Sequence, residues 1–133
     1  MHDASRYIRF ADHLMVMTYP MIGSPKILKI AMNNVYIGLR HLMKQATKLE
    51  TDDFLELINA SETNFKERGI NKKFIDYLRN FHNIIAEQKK SETEFSRKDK
   101  YVFASKSYDL QILNEKDVKD YILKAKLLLN LVI

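Results

Sequence analysis

A chain of 133 residues with net charge +5, three Gly, two Pro and no Cys reads as one domain, 1–133, able to bury a core without disulfide or thiolate–metal staples. So few turn-forming residues exclude an all-β fold, and the lack of cysteine fits a reducing, cytoplasmic setting. The longest apolar stretch, "LMVMTYPMI", is too short to span a bilayer, and the charged N-terminus lacks a signal peptide's apolar core, so no membrane is expected.

The first helix is expected from about Asp3, which can cap it, to Tyr19. Tyr7, Ala11, Leu14 and Thr18 share a stripe, with Ile8 and Met15 beside it. The pattern ends at "YPMIGSP", where Pro20, Gly23 and Pro25 cluster. Ser24 and Pro25 then read as the cap and first position of a second helix. Its stripe is Leu28, Ala31, Val35, Gly38, Leu39, Leu42, Ala46 and Leu49. A mid-helix Gly costs about 1 kcal/mol against Ala, and Gly38 with Ala31 and Ala46 would let another helix approach closely.

A third helix opens at Thr51, with Asp52, Asp53 and Glu56 at the positive end of its dipole. Phe54, Leu57, Ile58 and Phe65 form its apolar face. Arg68–Gly69 stops it, with Ile70 placed against the last turn. A fourth helix starts near Asn71 and carries Phe74, Leu78, Phe81 and Ile85, flanked by Ile75, Tyr77 and Ile84; the pattern fades into "AEQKKSETE".

Residues 91–113 differ. "SETEFSRKDK" reads as a polar linker. Over 101–113, Val102, Tyr108, Leu110 and Ile112 suit either a short hairpin turning at Ser105–Ser107 or an extended segment on the bundle. Asn114 with Asp117 resembles a capping box for a final helix bearing Val118, Tyr121, Ile122, Ala125, Leu128, Leu129 and Val132. Its "LLLNLVI" end belongs in the core or across a subunit interface. The expected fold is all-α: an up-and-down bundle of about five helices, with a short hairpin or extended segment near 101–113.

Charge is unevenly spread. From His13 to Leu49 there is no Asp or Glu, yet Lys26, Lys29, Arg40 and Lys44 fall near one side of the second helix, with Asn33. A phosphate backbone is bound by such a face through counterion release; the plainer alternative is a solvated face paired with acidic neighbours. A second candidate is Arg79 with His82, three apart and flanked by Asn80 and Asn83. Metal-independent RNA cleavage needs a proton-transfer group and a cation on the phosphate, roles that His and Arg can fill. The alternative is a surface Arg beside a partly buried His. No two histidines have helical metal-pair spacing, and no Gly-rich phosphate loop is present, so neither a metal nor a cofactor is expected.

The segments "KIAMNNVYIGLRHLMKQA", "YLRNFHNII" and the ending from "SETEFSRKDK" onward together resemble the HEPN-domain superfamily, in particular its small uncharacterised archaeal members. The resemblance covers most of the chain. It implies a helical bundle, usually a homodimer, associated with RNA or nucleotides. Catalytic members use an Arg and, after four to six intervening residues, a His. Here Arg79 and Asn80 match the opening, but Ile84, Ile85 and Ala86 stand where the His belongs, and His82 comes too early. Arg6 and His13 have the spacing but lie in the first helix. The resemblance therefore implies a non-catalytic module that binds nucleic acid, nucleotide or a partner protein such as a nucleotidyltransferase. The alternatives are a metal-independent endoribonuclease using Arg79 and His82, and a structural subunit of a larger assembly.

Overall fold

The computed structural model describes residues 2–91, 93–104 and 110–132. Its first helical run begins as α1 (His2–His13), passes through a π-helical turn (Leu14–Thr18) and resumes as α2 (Tyr19–Ile22). The expected stop before Pro20 is thus overturned. Proline lacks an N–H, and its ring crowds the carbonyl four residues back. The π turn widens the backbone just before it, so the Tyr19 N–H bonds the Leu14 carbonyl, five residues back. The run ends at Gly23, whose φ of 69° is left-handed and whose N–H bonds the Tyr19 carbonyl at 2.7 Å.

Helix α3 (Lys26–Thr47) is the axis of the fold, in contact with α1, α6, the sheet and α4 (Phe54–Glu67). Ser24 contributes its carbonyl, which accepts from the Ile27 N–H at 3.0 Å. The apolar stripe is buried from Leu28 to Ala46, and Leu49 lies beyond the helix, exposed. At Gly38 the expected close approach is met. A Cβ there would lie 2.7 Å from Ile8 Cγ1 and 3.2 Å from the Ala4 carbonyl oxygen.

Asp53 caps α4, its carboxylate accepting from the Glu56 N–H at 3.2 Å, while Thr51 Oγ1 accepts from the Asp53 N–H at 3.1 Å. Gly69, with φ 74°, ends the helix, and the Ile70 N–H bonds the Phe65 carbonyl at 2.9 Å as Ile70 is buried. Helix α5 (Lys73–Lys90) outlasts its apolar pattern and carries the polar "AEQKK" as regular helix.

Strands β1 (Thr93–Arg97), β2 (Lys100–Ala104) and β3 (Leu110–Asn114) form an antiparallel sheet in that order. The fold is therefore mostly helical rather than all-α. The hairpin alternative holds for β2 and β3, although the expected turn at Ser105–Ser107 lies outside the described residues. The linker reading of "SETEFSRKDK" fails because β1 owes its conformation to its partner. It pairs with β2 from Thr93↔Ala104 to Arg97↔Lys100 while its own side chains stay exposed. On the inner face Tyr101, Phe103 and Leu113 join the helical core; Phe95, Val102 and Ile112 form one row on the outer face.

Helix α6 (Glu115–Val132) closes the bundle. Asn114 Oδ1 accepts from the Asp117 N–H at 2.9 Å, as the sequence suggests. Val118, Ile122, Ala125, Leu128, Leu129 and Val132 enter the core, each large aliphatic contributing about 1.5–3 kcal/mol by burial. Leu123, Leu127 and Leu131 remain about half exposed on another side. Among the described residues no helix is long and apolar enough to cross a membrane.

Candidate nucleic-acid interface on α3

The acid-free stretch becomes α3, and helical spacing sets Lys29, Asn33, Tyr36, Arg40 and Lys44 in one row along it, with Lys26 at its start. Each cation has a different surrounding. Lys29 Nζ bonds both carboxylate oxygens of Glu94 on β1, at 2.9 and 2.7 Å, and lies 5.9 Å from the ring centres of Tyr101 and Phe103. The Tyr101 hydroxyl donates to the same carboxylate at 3.0 Å. The Lys29 hydrogen bond, followed by that from Tyr101, holds the Glu94 carboxyl below its ordinary range against the cost of burial. At the other end Lys44 Nζ bonds Asp52 at 2.8 Å, which lowers that carboxyl too.

The middle of the row is different. The Arg40 guanidinium lies 5.6 Å from the Tyr36 ring centre, and Lys89 Nζ, arriving from α5, lies 5.1 Å from it. Tyr36 thus attracts two cations to its ring by cation–π interaction. Its own ring stacks on Phe54 at 4.8 Å, so it is braced from α4. Among the described residues Lys26, Arg40 and Lys89 have no carboxylate within ion-pair distance, whereas Lys29 and Lys44 are compensated. All four sequence-predicted cations lie on α3, but two are neutralised locally. The residue that sequence reasoning missed is Lys89, which had been lost in the fading "AEQKK" tail. Its signal would have been that α5 continues far enough to bring residue 89 beside α3. A cleft of about 470 Å³ lies next to this row, with Lys29, Ile30 and Asn33 on one side, Ile85 and Lys89 on the other, and Glu94 at the sheet.

The structure gives Arg79 and His82 separate neighbours. Arg79 bonds Glu62 at 3.0 Å and Asn59 at 3.2 Å on α4, while the His82 ring stacks on Phe54 with centres 5.8 Å apart. Asn80 donates to the Tyr121 hydroxyl at 3.1 Å. Cleavage of RNA would need the Arg and His to converge on one phosphate, and Arg79 would first have to leave its carboxylate. His41 stacks on Tyr7 at 5.6 Å, in another part of the molecule. No three His, Asp or Glu side chains converge as a metal site among the described residues.

Comparison with protein-family models, with curated proteins and with solved structures finds no match to this chain.

Proposed function

We propose that the chain is a non-catalytic helical module that binds nucleic acid, with single-stranded RNA engaging the α3 row and Lys89. The observation that carries this reading is the pair of cations, Arg40 and Lys89, that both lie against the Tyr36 ring without a carboxylate partner among the described residues. Each is a guanidinium or ammonium with donors to spare for phosphate oxygens. The resemblance to HEPN domains supports RNA as the ligand class and a binding role over a catalytic one. Titration of a labelled single-stranded RNA at two salt concentrations tests it; no binding at low salt would overturn it. The ribonuclease alternative predicts RNA cleavage in EDTA that is lost in His82→Ala. Equal rates in wild type and variant remove it.

A second reading, a subunit docked on a partner protein, draws on Leu123, Leu127 and Leu131. They are 54%, 47% and 50% exposed at four-residue spacing along α6.

A further inference from the structure

Strand β1 is an open edge. All five of its residues are exposed, and among the described residues it has a neighbour in the sheet on one side only. Main-chain N–H and C=O groups on its other side are left to solvent or to another strand. The outer face beside that edge is apolar. Val102 is 5% exposed although it lies outside the helical core, and its row neighbours Phe95 and Ile112 are 42% and 46% exposed.

We infer that β1 pairs antiparallel with β1 of a second copy of this chain, about a two-fold axis normal to the sheet that passes between the two Phe95 residues, giving one six-stranded sheet. Charge and side-chain alternation fix the register. An axis normal to the sheet keeps the outer face on the same side in both copies, so only registers centred on a residue are open. Centred on Glu94, two carboxylates would oppose each other. Centred on Ser96, the pairing would run into the turn at Lys98 and leave only the three residues 95–97 of the strand in register. Centred on Phe95, all five residues pair: Thr93 faces the partner's Arg97, Glu94 faces the partner's Ser96, and the two phenyl rings meet at the axis. No like charges oppose, and the outer row runs unbroken from one Ile112 through both Phe95 rings to the other. Cross-strand aromatic pairs are among the contacts that stabilise sheets. Ile30, close to this edge, is 48% exposed.

The inference stands apart from RNA binding. It also sets the two α3 helices on the same side of the joined sheet, because each sheet meets its own α3 through its inner face. Pairing over five residues is short, so the dimer is concentration-dependent.

Sedimentation equilibrium of the full chain over a concentration series tests it. Self-association is expected, weakened at least tenfold by Phe95→Lys, which opposes two cations at the axis, and unchanged by Leu127→Lys on α6. The chain has no Cys, so Phe95→Cys supplies one thiol per copy at the axis. Oxidation with copper phenanthroline should link that variant into a disulfide dimer faster than Leu127→Cys, and this readout serves even where the Lys variant fails to fold. A monomer at every concentration, or association abolished by Leu127→Lys and intact in Phe95→Lys, would overturn the inference.

Discussion

Ile8 and Gly38 meet where α1 packs on α3, and Ile8 Cγ1 fills the space that a Cβ on residue 38 would need, 2.7 Å away. Gly38→Ala therefore sets two effects against each other. Helix propensity favours Ala by about 1 kcal/mol. Overpacking costs about 1–3 kcal/mol, and here the obstacle is a fully buried side chain with the Ala4 carbonyl behind it at 3.2 Å. Overpacking should win. The variant is expected to unfold at lower urea with an unchanged denaturant slope.

Lys29 and Glu94 join α3 to the edge strand. The lowered Glu94 carboxyl contributes stability that is present above the ordinary carboxylate range, near 4.5, and is lost as pH falls through its lower folded value. Solvent screens the pair, so the effect is small. Glu94→Gln should be less stable than wild type at neutral pH, and the two should converge as pH falls below the ordinary value of 4.5 and through the lower folded one. Urea unfolding of both proteins from neutral to acid pH checks this.

Asp53 satisfies an N–H in the first turn of α4. Asp53→Ala should cost about 0.5–2 kcal/mol, and Asp53→Asn should restore most of it. Thermal melts followed by circular dichroism separate the two.

The Tyr77 hydroxyl donates to the Tyr121 carbonyl at 2.7 Å, and burial pushes its ionisation well above the usual phenol range. Here the folded value is raised, so the stability it contributes is complete below about pH 10 and is lost as pH climbs past it. Tyr77→Phe should flatten the alkaline limb of the stability profile, and in wild type the phenolate absorbance of this residue should appear only with unfolding.

Legibility in the sequence followed the range of the interactions involved. The stripe of α3, the Asn114 cap and the Gly69 stop are local in origin and readable from spacing, whereas the helix expected to open at Thr51 begins at Phe54 with Asp53 as its cap. The helix through Pro20 was not, because a π turn relieves the steric rule that usually ends a helix there. β1 was hidden for a different reason. An edge strand with both faces wet shows no apolar alternation, and only the pairing with β2 makes it a strand. The charged row on α3 was visible, but its electrostatics were not. Glu94 neutralises Lys29 from 65 residues away, and Lys89 joins Arg40 only once α5 has packed.

The most direct test of the α3 interface is the salt dependence of RNA binding, followed by fluorescence anisotropy. Lys26, Arg40 and Lys89, three cations with no carboxylate partner among the described residues, at about 0.7 counterions released per single-strand phosphate, predict a log–log slope near −2. Arg40→Ala and Lys89→Ala should each weaken binding at low salt and reduce the slope by about 0.7. RNA affinity that is absent at low salt, or unchanged in both variants, would contradict the account.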